Sequence, residues 1–91
     1  MKTRSIRYEG KVQGIGFCSS VLALAREYDV TGGIKNLADG AVELIIHGQE
    51  QELEEFLLAI RHSHLAGHIA KEQEAAMHSE FLSPLRGFRI L

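Results

Sequence analysis

Ninety-one residues, 45% hydrophobic and 24% charged, make one ordinary globular domain over residues 1–91 and exclude both disorder and a second domain. A formal net charge of -2, with acidic and basic side chains mixed along the chain, gives no long-range field for nucleic acid or an anionic membrane. The N-terminus lacks the apolar core of a signal peptide and no run approaches a membrane span, so a cytoplasmic protein is expected; one cysteine excludes an internal disulfide.

Taken in chain order, Ile6 and Tyr8 alternate with Ser5, Arg7 and Glu9, a period-2 pattern that predicts a strand with one face on the core. Gly10-Lys-Val-Gln-Gly14-Ile-Gly16-Phe17 follows, a loop whose glycines allow sharp turning and close approach to a ligand. Val21, Leu22, Leu24, Ala25 and Tyr28 then recur at helical spacing, with Ser19 or Ser20 expected as a cap and a stop near Asp29. Thr31-Gly32-Gly33 interrupts the pattern, and Ile34 to Asn36 leads through Asp39-Gly40 into the alternation of Val42, Leu44 and Ile46, a hairpin signal. After Gly48, Leu53, Phe56, Leu57 and Ile60 fall on one side of a second helix, with Glu50, Glu52, Glu54 and Glu55 on the other. Ile69 to Met77 reads as an exposed strand, Pro84 as a turn, and Phe88 with Ile90 as a closing strand. This order predicts an α+β ferredoxin-like sandwich, βαββαβ with one further short strand: an antiparallel sheet carrying both helices on one face.

The fold fixes no function, so the loop is the first candidate site. Backbone N–H groups of Val12, Gln13, Gly14, Ile15, Gly16 and Phe17 can converge at a helix N-terminus, where unpaired donors and the helix dipole favour phosphate. A turn that binds nothing has the same composition. Spacing rejects a Walker loop, because Ile15 and Gly16 stand where glycine and lysine are required, and it rejects a dinucleotide fingerprint, which needs a third glycine. Asn36 reads either as a turn residue or as a side chain able to orient water, having both an acceptor and donors.

The segments Gly10-Lys-Val-Gln-Gly14-Ile-Gly16-Phe17 and Gly33-Ile-Lys-Asn36-Leu-Ala-Asp-Gly40-Ala-Val-Glu43, with the closing Phe88-Arg-Ile90, resemble the signature segments of the acylphosphatase family. The resemblance is strong from Ile6 to Gly48 and weak from Leu65 to Leu85. A related domain opens the hydrogenase maturation carbamoyltransferases; the point where this chain ends favours a free-standing protein. What the resemblance implies is hydrolysis of an acyl phosphate to carboxylate and inorganic phosphate by water, with no metal or cofactor. Loop amides and an arginine would hold the phosphate, and Asn36 would match the asparagine that orients water. The arginine's position, directly after Phe17, is Cys18. A thiol brings neither permanent charge nor a bidentate fork, so impaired catalysis is expected, with a non-catalytic anion-binding or interaction domain as the alternative.

Lys11 is expected to point outward and Lys35 away from Asn36, so neither replaces the arginine. A helix N-terminus would lower the Cys18 pKa, but a thiolate would repel phosphate, and Leu24 stands where a cysteine phosphatase needs arginine. His62, His64 and His68 read as a solvated loop rather than a zinc site. Tyr8 and Phe17 read as core or rim residues, and no ribonucleoprotein motif is present. A monomer is expected, with acyl phosphate or phosphate as its small-molecule partner.

Overall fold

The computed structural model describes residues 2–75 and 87–91. Its elements are β1 (Lys2–Gly10), α1 (Phe17–Ala25), β2 (Val30–Asn36), β3 (Val42–Gly48), α2 (Glu50–Arg61), a 3-10 turn (His64–His68), β4 (Ile69–Ala75) and β5 (Phe88–Ile90). The sheet order is β4-β1-β3-β2-β5. Its first four strands pair antiparallel, as a ferredoxin-like sandwich requires, while β5 lies parallel to β2 and makes the whole sheet mixed.

Register explains the core. Ile6 faces Leu44, Leu44 faces Ile34, and Tyr8 faces Val42, so alternate residues of three neighbouring strands present one apolar surface. Val21 and Ala25 of α1 and Leu53, Phe56, Leu57 and Ile60 of α2 bury against that same surface, which puts both helices on one face. Fully burying a residue the size of Leu, Ile or Phe contributes about 1.5–3 kcal/mol. Arg4 completes the packing at the edge: its guanidinium bonds Glu54 on α2 at 2.6 Å and Glu74 on β4 at 2.7 Å, which holds its pKa well above the usual arginine value.

The helix boundaries differ from the sequence reading in a way that bears on the site. α1 begins at Phe17 with Gly16 at the cap position, and no side chain caps it, so neither Ser19 nor Ser20 serves as the cap. Gly16 is left-handed (φ 76°), which feeds the chain directly into the helix, and its carbonyl accepts from the Ser20 N–H at 2.9 Å. The helix ends at Ala25, earlier than the stop expected near Asp29, and the chain continues to Tyr28 through 3-10-type bonds from Glu27 to Leu24 and Tyr28 to Ala25. β2 runs through the two glycines instead of starting after them. Gly32 has φ 138°, and a Cβ there would stand 1.9 Å from the Ile45 carbonyl oxygen, so the strand tolerates no side chain at that point.

The expected strand over Ile69 to Met77 is β4 as far as Ala75, an edge strand paired with β1 through a bulge at Glu9/Gly10. Its two carboxylates meet partners: Glu72 receives the Arg61 guanidinium, with Nε at 2.9 Å, and Glu74 receives Arg4. The turn expected at Pro84 lies outside the described residues. Among the described residues, no helix is long and apolar enough to cross a membrane.

Candidate active site

The glycine loop joins the interior strand β1 to α1. Its ends are fixed by burial: Val12 and Phe17 are each 1% exposed, and the Phe17 ring packs on Tyr8 with centroids 5.5 Å apart. Both aromatic rings therefore belong to the core. The Lys11 N–H donates to the His68 carbonyl at 3.0 Å and seats the start of the loop against the 3-10 turn. Between the anchors, Gly14 and Gly16 take φ of 79° and 76°, and Gly14, Ile15 and Gly16 are exposed. No side chain caps the first amides of α1, and the helix dipole makes that end of the helix positive.

Asn36 is the last residue of β2, paired with Val42 at the turn end of the β2–β3 hairpin. The sheet register and the loop bring it to the first turn of α1, where the Cys18 thiol donates to Asn36 Oδ1 at 3.5 Å. The two side chains singled out from the sequence thus stand in contact, although eighteen positions separate them. Cys18 is partly buried, and burial pushes its thiol pKa up. That direction is opposite to the one expected of a helix N-terminus, and its cause is loss of solvent around the thiol.

The cations near the hairpin are engaged elsewhere. Lys35 Nζ lies 3.6 Å from Glu43, on the opposite face of β2 from Asn36 as expected. The Arg7 guanidinium pairs with Asp39 and Glu9, and this holds the Asp39 carboxyl below its ordinary range. Lys11 is exposed, in keeping with an outward side chain. The histidines do not converge: His62 follows α2, while His64 and His68 bound the 3-10 turn, and all three are exposed. Among the described residues, no group of three or more His, Cys, Asp or Glu could hold a metal ion.

One side chain has a role that spacing does not reveal. Gln13 Nε2 donates to the carbonyls of Leu37 at 2.8 Å and Ala41 at 2.9 Å, tying the loop to the turn that follows Asn36. A glutamine in a glycine loop carries no sequence signal for this, because its acceptors are backbone atoms that only the sheet brings near.

Comparison with known proteins matches this arrangement to one family. The acylphosphatase family model matches residues 4–90, so the chain belongs to the acylphosphatase family. It is 44% identical over 57 residues to an acylphosphatase of Thermoplasma volcanium, a match spanning 63% of each chain. It is 39% identical over 70 residues to one of Lactobacillus gasseri, covering 76% of this chain and 77% of that one. The crystal structure of acylphosphatase from Bacillus subtilis superposes with a TM-score of 0.85 at 28% identity, over 100% of this chain and 99% of that chain.

Proposed function

We propose that this protein binds phosphate at the loop from Val12 to Phe17 and hydrolyses acyl phosphates slowly, with Asn36 directing the attacking water. The observation that carries the reading is the contact between Cys18 and Asn36 Oδ1, which sets the water-orienting side chain beside the uncapped first turn of α1. Loop and helix amides bind the phosphoryl oxygens as donors whose cost of orientation is met by folding. Water attacks phosphorus, the bond from phosphorus to the acyl oxygen breaks, and a carboxylate leaves with that electron pair. The water's protons end on phosphate and solvent. Asn36 Oδ1 has two lone pairs, so it can accept from both the thiol and a water. Phosphoryl transfer needs mainly positioning and charge stabilisation, which amides supply in part.

The slowness follows from Cys18, which occupies the position that the family resemblance gives to arginine. A neutral thiol supplies no charge to the phosphoryl oxygens, and Lys35 and Arg7 are paired with carboxylates. The same observation favours a second reading, a domain that binds phosphate without turning substrate over. Acyl phosphate hydrolysis by the native chain and by Asn36→Ala separates the two. The hydrolase reading expects turnover above the buffer blank and at least a tenfold loss, on the order of general positioning effects, in the variant. Native activity equal to the blank removes that reading. A phosphate titration followed by the amide resonances of residues 12–18 tests binding, and an unresponsive loop removes both readings.

A further inference from the structure

We propose that Gln13 is a positioning residue, whose side-chain amide sets the distance between the phosphate loop and Asn36. This rests on the reading just given and extends it to a side chain that bonds the hairpin turn. Both protons of Nε2 are used, one on the Leu37 carbonyl at 2.8 Å and one on the Ala41 carbonyl at 2.9 Å. Those carbonyls bracket the hairpin turn: the Leu37 N–H donates to the Ala41 carbonyl at 2.8 Å, closing it, and Leu37 directly follows Asn36.

The loop needs such a tie. Val12 and Phe17 are buried, but Gly14, Ile15 and Gly16 between them are exposed, and among the described residues nothing beyond the chain neighbours stands within 4 Å of where a Cβ on either glycine would lie. Among the described residues, Gln13 makes the side-chain hydrogen bonds that run from residues 11–16 to another element. Asn36 in turn is exposed at a strand end, so its placement depends on the turn that follows it. A glutamine suits the task because its amide supplies two donors without charge and does not compete for the anion. Lysine or arginine there would also draw phosphate away from the amides.

The test compares native protein, Gln13→Met and Gln13→Glu, each alone and with Asn36→Ala. It reads inorganic phosphate affinity, acyl phosphate turnover and the Asn36 side-chain amide resonances. Gln13→Met keeps the length of the side chain and removes both donors at an exposed position, so the fold persists. It should weaken phosphate binding and turnover by roughly 10- to 100-fold, the scale of a misplacement near 1 Å. In the Asn36→Ala background the same substitution should add little, because the side chain it positions is gone. The Gln13→Glu variant places a carboxylate against two carbonyl oxygens and should lose more than Gln13→Met at neutral pH. It should recover toward the Gln13→Met level as acid protonates it, whereas Gln13→Met should show no such recovery over the same series.

Unmoved Asn36 resonances in Gln13→Met overturn the proposal, as does an undiminished loss in the Asn36→Ala background. If the native loop ignores phosphate, the functional reading fails by itself. The Asn36 resonances and the hydrogen exchange of the Leu37 and Gly40 amides then decide the role of Gln13 without any ligand.

Discussion

Placing a charge at position 18 tests whether a neutral side chain there limits the proposed phosphate site. In Cys18→Arg a guanidinium would grow from the first turn of α1, where Sγ now lies 3.5 Å from Asn36 Oδ1 at the rim of the loop. A unit charge 4 Å from a phosphate charge gains about 4 kcal/mol at an effective dielectric near 20, which suits a partly exposed site. Ordering the arginine side chain takes back about 2 kcal/mol. A net of about 2 kcal/mol corresponds to phosphate binding roughly 30-fold tighter. The rate should gain more than the affinity, because charge grows on the phosphoryl oxygens in the transition state; a supplied arginine raises turnover by about 10³-fold or more in comparable chemistry. Calorimetric or NMR titration with inorganic phosphate, beside initial rates with an acyl phosphate, measures both. A variant that keeps the native amide spectrum while its affinity changes by less than about threefold and its rate stays flat would refute the electrostatic reasoning. Native turnover equal to that of the variant would show that the site needs no cation.

Three further outcomes are expected. Gly32→Ala should lower stability by more than about 3 kcal/mol and the melting temperature by at least about 12 °C, since its Cβ would meet the Ile45 carbonyl oxygen and φ is 138°; a loss under 1 kcal/mol, roughly, contradicts the strand geometry. Tyr8→Phe should change stability by less than about 1 kcal/mol, because the buried Tyr8 hydroxyl, beside Glu72 of β4, makes no hydrogen bond of good geometry among the described residues; a large loss in chemical denaturation would show that Glu72 is its partner. Cys18 should react with iodoacetamide more slowly than a free thiol at pH 7 and accelerate only above the ordinary thiol range, because burial raises its pKa. The sign for stability follows: the unfolded chain releases this proton first, so the thiol's contribution is full below the ordinary pKa and declines as pH rises through it toward the folded value. Rapid alkylation that has already levelled off by pH 7 would reverse the assignment.

Much of the fold was legible because apolar residues were spaced at the period of each element. Ile6 with Tyr8, Val42 with Leu44 and Ile46, and Leu53 with Phe56, Leu57 and Ile60 occupy the core positions their spacing predicts. Boundaries set by backbone geometry were less legible. Gly32 and Gly33 look like a break in sequence but lie inside β2, because the absence of a Cβ lets β2 pass close to the Ile45 carbonyl and lets Leu91 lie against Gly33. The helix cap was misread for a similar reason: Ser19 and Ser20 have capping chemistry, yet left-handed Gly16 starts the helix before them.

At the site, the sequence by itself determined which chemical groups are present: a glycine loop ahead of a helix, a carboxamide at the end of a strand, and a thiol in the helix that follows the loop. Only the tertiary structure decided how they act on one another. Strand pairing and the loop's buried ends bring Asn36 to Cys18, and packing of Cys18 against the core pushes its thiol pKa up where helix position alone predicts activation. The grip of Gln13 on Leu37 and Ala41 is decided there too, because its acceptors are main-chain carbonyls, which every residue carries and no sequence pattern marks.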